Sequence, residues 1–429
     1  MKSDDLLQLL PAFLEHQRWF AGARPDQVHI EDFEVFRDDW PKLTWALIQA
    51  GETHYQLLVG GRPMGEPAEF LSGHEHGVLG ESEGGFWYDA TYDPVLAITM
   101  LDVVTGGKET ASRVRPMGVD QSNSSLVYDE RMILKLFRRV KPGSNPDVEV
   151  TTALAGEGFT HVAEPLAAWH RDGYDLAFVQ QFLVGGSEGW ALALTSLRDL
   201  YASGPDDPSE AGGDFGGEAT RLGQMTAEMH IALADAFGTV AGDGQAWAAA
   251  MAPGVERVAD DEQAGARAVF QRLGTVSDPG PAVRVHGDFH LGQVMRTDAG
   301  WFVLDFEGEP TRPLAERRAH ASPMKDVTGM LRSIDYAARS ALAERETTEL
   351  DRLTPLAEAW RDHNRSAFLE GYLETPEIDQ LLPKEPASLE AVLAAFELDK
   401  AIYELAYEEA YRPDWVEIPR AAIRRLTFG

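Results

Sequence analysis

Three polar side chains in the second half of the chain have the types and spacing that phosphoryl transfer requires. Asp288 and Gln293 lie within residues 285–293, and Asp305 ends the apolar run 301–304. One carboxylate can orient or deprotonate an attacking hydroxyl, while an amide oxygen and a second carboxylate can bind Mg²⁺ beside nucleotide phosphates. Taken singly, Asp288 could cap a turn and Asp305 could end a surface strand. Their combination favours a catalytic Asp288 with Gln293 and Asp305 as magnesium ligands.

A lysine inside an apolar strand is a second signal of the same chemistry. Lys135 interrupts the apolar run 132–137, where a lysine is unfavourable unless a carboxylate pairs with it. Glu149, on the helix expected next, is the predicted partner, and the pair would hold the ammonium against nucleotide phosphates. For Lys135 alone, an edge-strand lysine reaching into water is the alternative. The polar turn that precedes the strand would supply N–H groups and hydroxyls to the same phosphates: Ser122, Asn123, Ser124 and Ser125.

The elements that must position these residues read as an antiparallel sheet followed by helices. Residues 113–183 alternate strand-like runs with turns around one helix, which Ser144 or Asn145 would cap and Pro146 would begin. Later patterns predict helices at 218–237, at 245–273 and over most of 325–428, with a Pro-rich break near 375–387.

The first hundred residues read as a small mixed module. The pattern predicts a helix at 6–17 and a hairpin whose strands, 45–49 and 54–59, are separated by Gly51-Glu52. A helix-like stretch at 93–104 ends at a pair of glycines, which can turn the chain out of a helix. A chain of 429 residues is therefore expected to contain two or three domains.

Composition excludes several classes of function. The net charge of -32, from 70 acidic and 38 basic residues, disfavours binding to nucleic acid or to an anionic membrane. Cysteine is absent, which excludes disulfides, thiolate metal sites and a cysteine nucleophile. No apolar run approaches the roughly 18 residues of a membrane span, and Asp4 and Asp5 do not fit a secretory signal. A cytoplasmic protein is expected.

These motifs resemble the protein-kinase-like fold of aminoglycoside phosphotransferases and choline kinases, and more closely the actinobacterial maltokinase and glucosamine kinase family. The segments that carry the resemblance are spread over most of the chain: 17–22, 134–139, 145–149, 188–191, 285–293, 305–310, 326–327 and 330–333. The resemblance implies a bilobal α+β fold, with a mixed α/β cap at 1–110, a nucleotide-binding lobe with a small antiparallel sheet at 111–183, and a helical lobe at 184–429.

The resemblance also implies roles for the motif residues. Asp288 would be catalytic, Lys135 and Glu149 would serve the nucleotide, and Gln293 and Asp305 would bind Mg²⁺. ATP is the implied donor and a sugar hydroxyl the acceptor, in a monomer or weak homo-oligomer. All five residues are present, which favours an active kinase over a non-catalytic partner subunit of a trehalose or maltose enzyme. The cap disfavours an antibiotic phosphotransferase.

The acceptor depends on which branch of the family the chain resembles. Maltokinases phosphorylate maltose at its anomeric hydroxyl, whereas the related branch phosphorylates glucosamine at the 6-position. Maltokinases carry Tyr-Glu-Ala-Arg before Asn or His and Arg-Pro, whereas residues 407–411 here read Tyr-Glu-Glu-Ala-Tyr.

A basic residue is thus replaced, and the carboxylate of Glu409 could hold the ammonium of an amino sugar while Trp415 stacks on a sugar face. Alternatively, Glu409 reaches solvent and Trp415 packs in the core. The other candidate acceptor residues are Glu307, Glu404 and Glu408. Glucosamine is the favoured acceptor, and maltose is the alternative.

Overall fold

The chain folds into two compact units. The computed structural model describes residues 2–20, 27–82, 84–117, 123–203, 208–210, 213–309 and 312–428. One unit comprises Met1–Glu149 with Ala163–Val184, and the other comprises Val150–Val162 with Gly185–Gly429. Antiparallel sheets fill the first unit and helices dominate the second, so the predicted α+β class is confirmed.

The first sheet of the first unit contains the predicted hairpin. Its long strands are β1 (Val28–Arg37), β2 (Lys42–Ala50), β3 (Thr53–Pro63), β4 (Val78–Ser82) and β5 (Gly85–Asp89), in the order β1-β2-β3-β5-β4. Strands β2 and β3 pair from Ala50 and Thr53 onward, and Gly51 forms the turn with a φ of 63°. Helix α1 spans Ser3–Leu14 rather than 6–17, which places Asp4 and Asp5 at its positively polarised first turn.

The second sheet carries the lysine strand. Its strands are β6 (Val114–Pro116), β7 (Asn123–Tyr128), β8 (Met132–Phe137), β10 (Pro165–Arg171) and β11 (Tyr174–Gln181), in the order β10-β11-β8-β7-β6. The short β9 (Arg139–Val140) pairs instead with β3 of the first sheet. Helix α2 (Pro94–Thr105) packs on this sheet through Leu96 and Met100, and α3 (Pro146–Gly156) begins after Asn145, whose side chain accepts from the Asp147 N–H. The predicted sheet with one helix at 113–183 is confirmed.

The second unit is built mainly of helices around one apolar core. In chain order they are α4 (Gly189–Ser203), α5 (Gly216–Phe237), α6 (Gly244–Met251), α7 (Gln263–Gly274), α8 (Leu314–Arg317), α9 (Met324–Ala343), α10 (Leu350–Leu373), α11 (Pro386–Tyr411) and α12 (Glu417–Phe428). The single helix predicted at 245–273 is wrong. A 3-10 turn at Ala252–Arg257 separates α6 from α7, because Pro253 lacks the N–H that would continue the helix.

Short strands complete the second unit. A three-stranded sheet pairs β12 (Ser187–Glu188), β15 (Val294–Thr297) and β16 (Gly300–Val303), and a second pairs β13 (Thr239–Ala241) with β14 (Pro281–Val283). Helices α5 and α10 pack closely at Gly223. A Cβ atom at this position would lie only 2.1 Å from the Phe368 carbonyl oxygen, so the close approach requires glycine. Within the described ranges, none of the helices is both long and apolar enough to cross a membrane.

Candidate active site

Asp288 lies in a loop whose backbone N–H groups donate hydrogen bonds to a buried carboxylate. The loop connects β14 to β15, and Gly287 adopts a φ of 87° just before Asp288. In the first turn of α9, Asp326 accepts hydrogen bonds from the His286 N–H at 2.7 Å and from the Gly287 N–H at 2.9 Å. The geometry of the loop therefore depends on Asp326, and the Asp288 side chain remains about one quarter exposed.

Asp326 is itself part of a buried network. His230 Nε2 lies 3.2 Å from its Oδ2 atom, and His230 Nδ1 lies 2.8 Å from the Tyr372 hydroxyl. Burial alone would raise the pKa of Asp326, but the hydrogen bond with His230 and the charges of His230 and His286 together hold that pKa below its usual value. Asp326 is therefore ionised when it holds the loop.

Gln293 and Asp305 are brought to adjacent backbone positions by the β15–β16 hairpin. The two strands pair Val294 with Val303, and the Leu304 N–H donates to the Gln293 carbonyl at 2.8 Å. Asp305 adopts a φ of 56°, and its Oδ1 atom accepts from the Glu307 N–H at 3.1 Å. A non-glycine residue with its backbone in this left-handed region is unusual and often marks a functional position.

The Asp288 loop joins the same hairpin, since His286 Nε2 lies 3.0 Å from the Leu304 carbonyl oxygen. Gln293 and Asp305 offer an amide and a carboxylate oxygen, the donors that Mg²⁺ accepts from protein when nucleotide phosphates complete its shell. The residues present therefore fit the magnesium ion that the family implies.

A cavity of about 380 Å³ opens beside Asp288 in the second unit. Its walls include Phe289, Glu309, Asp399 and Lys400. The Lys400 ammonium lies 3.9 Å from Asp288 Oδ1, so the cavity places a cation next to the candidate catalytic carboxylate. This volume falls within the range of small-molecule sites.

An aromatic wall completes the cavity. Trp247 and Phe396 both line it, and their rings pack edge to face with centroids 5.5 Å apart. Aromatic rings of this kind can stack on the apolar face of a sugar.

Two carboxylates in the cavity have different surroundings. Burial would raise the pKa of Glu309, but hydrogen bonds from Tyr403 and Arg312 hold it below its usual value. Burial raises the pKa of Asp399, although the neighbouring Arg312, Lys325 and Lys400 partly oppose that rise. In the part of the chain that the structure describes, no hydrogen bond or ion pair within 4 Å engages the Asp399 carboxylate. Asp399 is thus available to a ligand.

The acidic residues that the sequence suggested for the acceptor do not line this cavity. Glu404 is buried and accepts from Arg332 Nε at 2.8 Å, and Glu408 is buried between the Tyr336 hydroxyl at 3.1 Å and Arg412. Both carboxylates stabilise the packing of α11, because buried charges require such partners. Their contact with an acceptor stays a prediction, and it would require an acceptor outside the walls of this cavity.

The remaining candidate acceptor residues, Glu409, Trp415 and Glu307, do not line the cavity either. Glu409 is half-exposed near Arg420 at 3.5 Å, and Trp415 stacks on Tyr336 with ring centroids 6.1 Å apart. Glu307 donates its backbone N–H to Asp305 Oδ1. It is not one of the described residues that line the cavity. Glu409 and Trp415 do not line the cavity beside Asp288, and their contact with an acceptor stays a prediction.

In the first unit, Lys135 has a carboxylate partner that the sequence analysis did not select. Its Nζ atom lies 2.7 Å from Asp147 Oδ2 in the first turn of α3. Glu149 lies in the same turn, where its N–H donates to the Asn145 carbonyl. Asp147 is almost fully buried, and pairing with the lysine satisfies both charges.

The polar turn before Lys135 is only partly described. Ser122 lies outside the described residues, and Asn123 begins β7 opposite Phe137. Ser125 pairs with Lys135 across β7 and β8, so both side chains share one face of the sheet. Ser124 points to the opposite face, where its hydroxyl accepts from Arg138 Nε at 2.8 Å.

Sequence reasoning missed Asp147, Asp326 and Asp399 for different reasons. Asp147 and Glu149 occupy one helical turn, and composition cannot show which carboxylate meets the lysine. Asp326 was part of a segment shared with the family, and its position near a helix start was the available signal. Asp399 follows the buried Leu398 on α11, a position that suits a solvated residue equally well. Only the tertiary structure shows that Asp399 lines a cavity.

Comparison with known proteins gives consistent matches along the chain. A family model described as "Phosphotransferase enzyme family" matches residues 113–347, and one described as "Maltokinase N-terminal cap domain" matches residues 13–93. The chain is 29% identical over 381 residues to a glucosamine kinase of Streptacidiphilus jiangxiensis, which covers 82% of this chain and 80% of that protein. It is 28% identical over 346 residues to a glucosamine kinase of Mycolicibacterium smegmatis, with 76% and 82% covered.

Solved structures share the fold. A glucosamine kinase in complex with glucosamine, ADP and inorganic phosphate superimposes with a TM-score of 0.70 at 22% identity and covers 98% of both chains. A second crystal form of a glucosamine kinase gives a TM-score of 0.72 at 20% identity over the full length of both chains. The predicted fold class is therefore confirmed over the whole chain.

Proposed function

The chain belongs to the phosphotransferase enzyme family, and we propose that it transfers the γ-phosphate of ATP to an amino sugar, with glucosamine converted to glucosamine 6-phosphate. The observation that carries the proposal is the cavity beside Asp288, which combines an unengaged carboxylate, Asp399, with an aromatic wall. The likeness to two curated glucosamine kinases over about four fifths of their length supports the same acceptor.

The transfer follows from the position of Asp288 in this cavity. The acceptor hydroxyl gives its proton to the Asp288 carboxylate as its oxygen bonds to the γ-phosphorus, and the bond from that phosphorus to the bridging oxygen of ADP breaks. Asp326 keeps the loop in place by holding the His286 and Gly287 N–H groups. Lys400 places a positive charge 3.9 Å from the carboxylate of Asp288.

Charge on the phosphates is neutralised by groups of opposite sign. Gln293 and Asp305 would hold Mg²⁺, which supplies positive charge to the phosphate oxygens when bound. Lys135, held by Asp147, presents its ammonium to the nucleotide. Glu149 remains a proposed contributor to this pair.

Acceptor recognition rests on residues of the cavity. An ammonium at the sugar 2-position would form a charge-assisted hydrogen bond with the half-buried carboxylate of Asp399, which accepts no hydrogen bond from the described residues. Glu309 is already engaged by Tyr403 and Arg312, so it suits a hydroxyl rather than a second cation. Trp247 would cover one sugar face.

Maltose is the second candidate acceptor, with maltose 1-phosphate as product. The match of residues 13–93 to the maltokinase cap domain favours it. Maltose has no ammonium, however, and would bring no positive charge to Asp399.

An acceptor panel tests the proposal. Purified protein with ATP and Mg²⁺ is offered glucosamine, glucose, N-acetylglucosamine, maltose and an aminoglycoside, and phosphorus NMR identifies the phosphorylated position. We expect the highest kcat/KM with glucosamine and a 6-phosphate product. Preference for maltose with a 1-phosphate product would support the second candidate, and lack of turnover with every sugar would contradict both.

A further inference from the structure

We propose that Arg317 is a positioning residue that holds the turn after Asp305, the candidate magnesium ligand. Arg317 is the last residue of the short helix α8 in the second unit. The turn here means residues 305–308. Because Asp305 is assigned to Mg²⁺ only within the proposed kinase function, the role of Arg317 rests on that function.

The Arg317 guanidinium donates to the backbone of the turn rather than to an acidic side chain. Its Nη1 atom donates to the Glu307 carbonyl at 2.6 Å. Among the described residues no carboxylate lies within 4 Å of this guanidinium, although the chain contains 70 Asp and Glu residues. The partner of Arg317 is therefore the turn itself.

Glu307 connects Arg317 to the Asp305 side chain. The Glu307 carbonyl accepts from Arg317, and the Glu307 N–H donates to Asp305 Oδ1 at 3.1 Å. The two peptide groups that flank Glu307 are thus held, one by the arginine and one by the carboxylate. The orientation of the Asp305 carboxylate therefore depends on where Arg317 holds residue 307.

The backbone of the turn requires such support. Asp305 adopts a φ of 56° and Gly308 a φ of 70°, both in the left-handed region. A non-glycine residue in this region is unfavourable, and it persists only where the surrounding structure holds it. The hydrogen bond from Arg317 is one contact that provides this support for Asp305.

Arg317 also borders the loop that carries Asp288. A Cβ atom placed at Gly308 would lie 3.5 Å from Arg317 Cδ and 3.5 Å from the His286 carbonyl oxygen. The arginine side chain and the catalytic loop therefore both contact Gly308. A shift of Arg317 would change how the turn packs against that loop.

The backbone around Arg317 is itself fixed by hydrogen bonds. The Arg317 N–H donates to the Pro313 carbonyl at 3.1 Å. The carbonyl of the next residue, Arg318, accepts from Nη1 of the buried Arg284 at 3.2 Å. The guanidinium is thus presented to the turn from a defined position.

Simple packing does not require an arginine at this position. The Arg317 Nε atom is buried and has no hydrogen-bond acceptor in the described part of the chain, which is unfavourable for a donor. An apolar side chain of similar length would fill the space without this cost. What the guanidinium adds is a charged donor directed at the Glu307 carbonyl.

The test measures metal binding directly, without turnover. Mn²⁺ is the probe in place of Mg²⁺, and electron paramagnetic resonance gives its Kd for the full-length protein saturated with ADP. Because no acceptor is present, an incorrect acceptor assignment does not affect the result. Calorimetry gives the Kd of ADP without metal, which reports whether nucleotide binding itself has changed.

The variants separate the hydrogen bond from a general loss of stability. Arg317→Gln removes the charged donor, and Arg317→Lys keeps a charge that can still donate to a carbonyl. The matched control is Arg296→Gln, which removes an arginine of β15 that pairs with Glu218 at 2.7 Å. Asp305→Asn changes the candidate ligand itself. Unchanged Mn²⁺ affinity in Asp305→Asn would overturn the proposed metal site and the role of Arg317 with it.

We expect Arg317→Gln to raise the Kd of Mn²⁺ about five- to tenfold, the effect of losing one hydrogen bond from a charged group. Arg317→Lys should raise it less, about two- to threefold. The metal-free Kd of ADP should stay as in the wild type, and Arg296→Gln should bind Mn²⁺ as the wild type does. If Arg317→Gln does not fold, Arg317→Lys decides the question. Wild-type Mn²⁺ affinity in the folded Arg317 variant, or an equal rise in Arg296→Gln, would overturn the proposal while Asp305→Asn still lost the metal.

Discussion

Lys135 Nζ lies 2.7 Å from Asp147 Oδ2, and this ion pair is formed within the first unit of the protein. We predict that Asp147→Asn raises the KM for ATP about tenfold, because a hydrogen bond to a charged group contributes about 1.5–3 kcal/mol. Steady-state kinetics at saturating sugar measures the change. Glu149→Gln is the matched comparison, and a larger effect in that variant would assign the lysine to Glu149 instead.

Asp288→Asn tests the catalytic carboxylate. We expect kcat to fall by a factor of about 10² to 10⁴, the usual contribution of a general base, while both KM values change little. The melting temperature should stay near that of wild type, because the side chain is partly exposed and its nearest cation is 3.9 Å away.

Asp298→Asn, in the exposed turn between β15 and β16, is the control for Asp288→Asn and should retain full activity. A turnover near wild type in Asp288→Asn would remove the carboxylate from the mechanism.

Asp326→Asn tests the anchor of the catalytic loop. Removing one partner of a buried charged network commonly lowers the free energy of unfolding by about 3–5 kcal/mol. Here it also weakens the bonds to the His286 and Gly287 N–H groups, so kcat should fall as well. Chemical denaturation at pH 7 measures the stability, and a variant as stable as wild type would contradict the role of Asp326.

The same carboxylate predicts a dependence of stability on pH. The pKa of Asp326 in the folded chain lies below its usual value of 3.8, so the folded state binds its proton less readily than the unfolded state. Its contribution to stability is therefore complete above about pH 5 and is lost as the pH falls through 3.8 toward the folded pKa. Denaturation between pH 5 and pH 3 should show a shallower loss of stability in Asp326→Asn. An identical slope in both proteins would argue against a depressed pKa.

The features that the sequence predicted correctly are local. The β2–β3 hairpin follows from alternating apolar residues around Gly51, and the start of α3 follows from Asn145 and Pro146. The apolar run 301–304 was expected to form a strand ending at Asp305, and β16 spans Gly300–Val303. In each case neighbouring residues determine the conformation, so pattern and residue type suffice.

The acceptor site could not be predicted in the same way. Glu404 and Asp399 both lie on α11, yet one pairs with Arg332 and the other lines the cavity, according to what packs on each face of the helix. Arg332 is 72 residues away in the chain. A helical pattern shows which residues share a face, but it does not show which distant helix covers that face.

The most direct test of the acceptor assignment compares glucosamine with glucose, which differ only in the group at the 2-position. The measurement is kcat/KM for both sugars in the wild type, in Asp399→Asn and in Glu409→Gln. We predict that the wild type prefers glucosamine. In Asp399→Asn the ratio of the two kcat/KM values should fall about tenfold, as expected for the loss of one charge-assisted hydrogen bond. In Glu409→Gln the ratio should stay as in the wild type. Unchanged preference in Asp399→Asn, with loss of preference in Glu409→Gln, would contradict the assignment and move the ammonium to the end of α11.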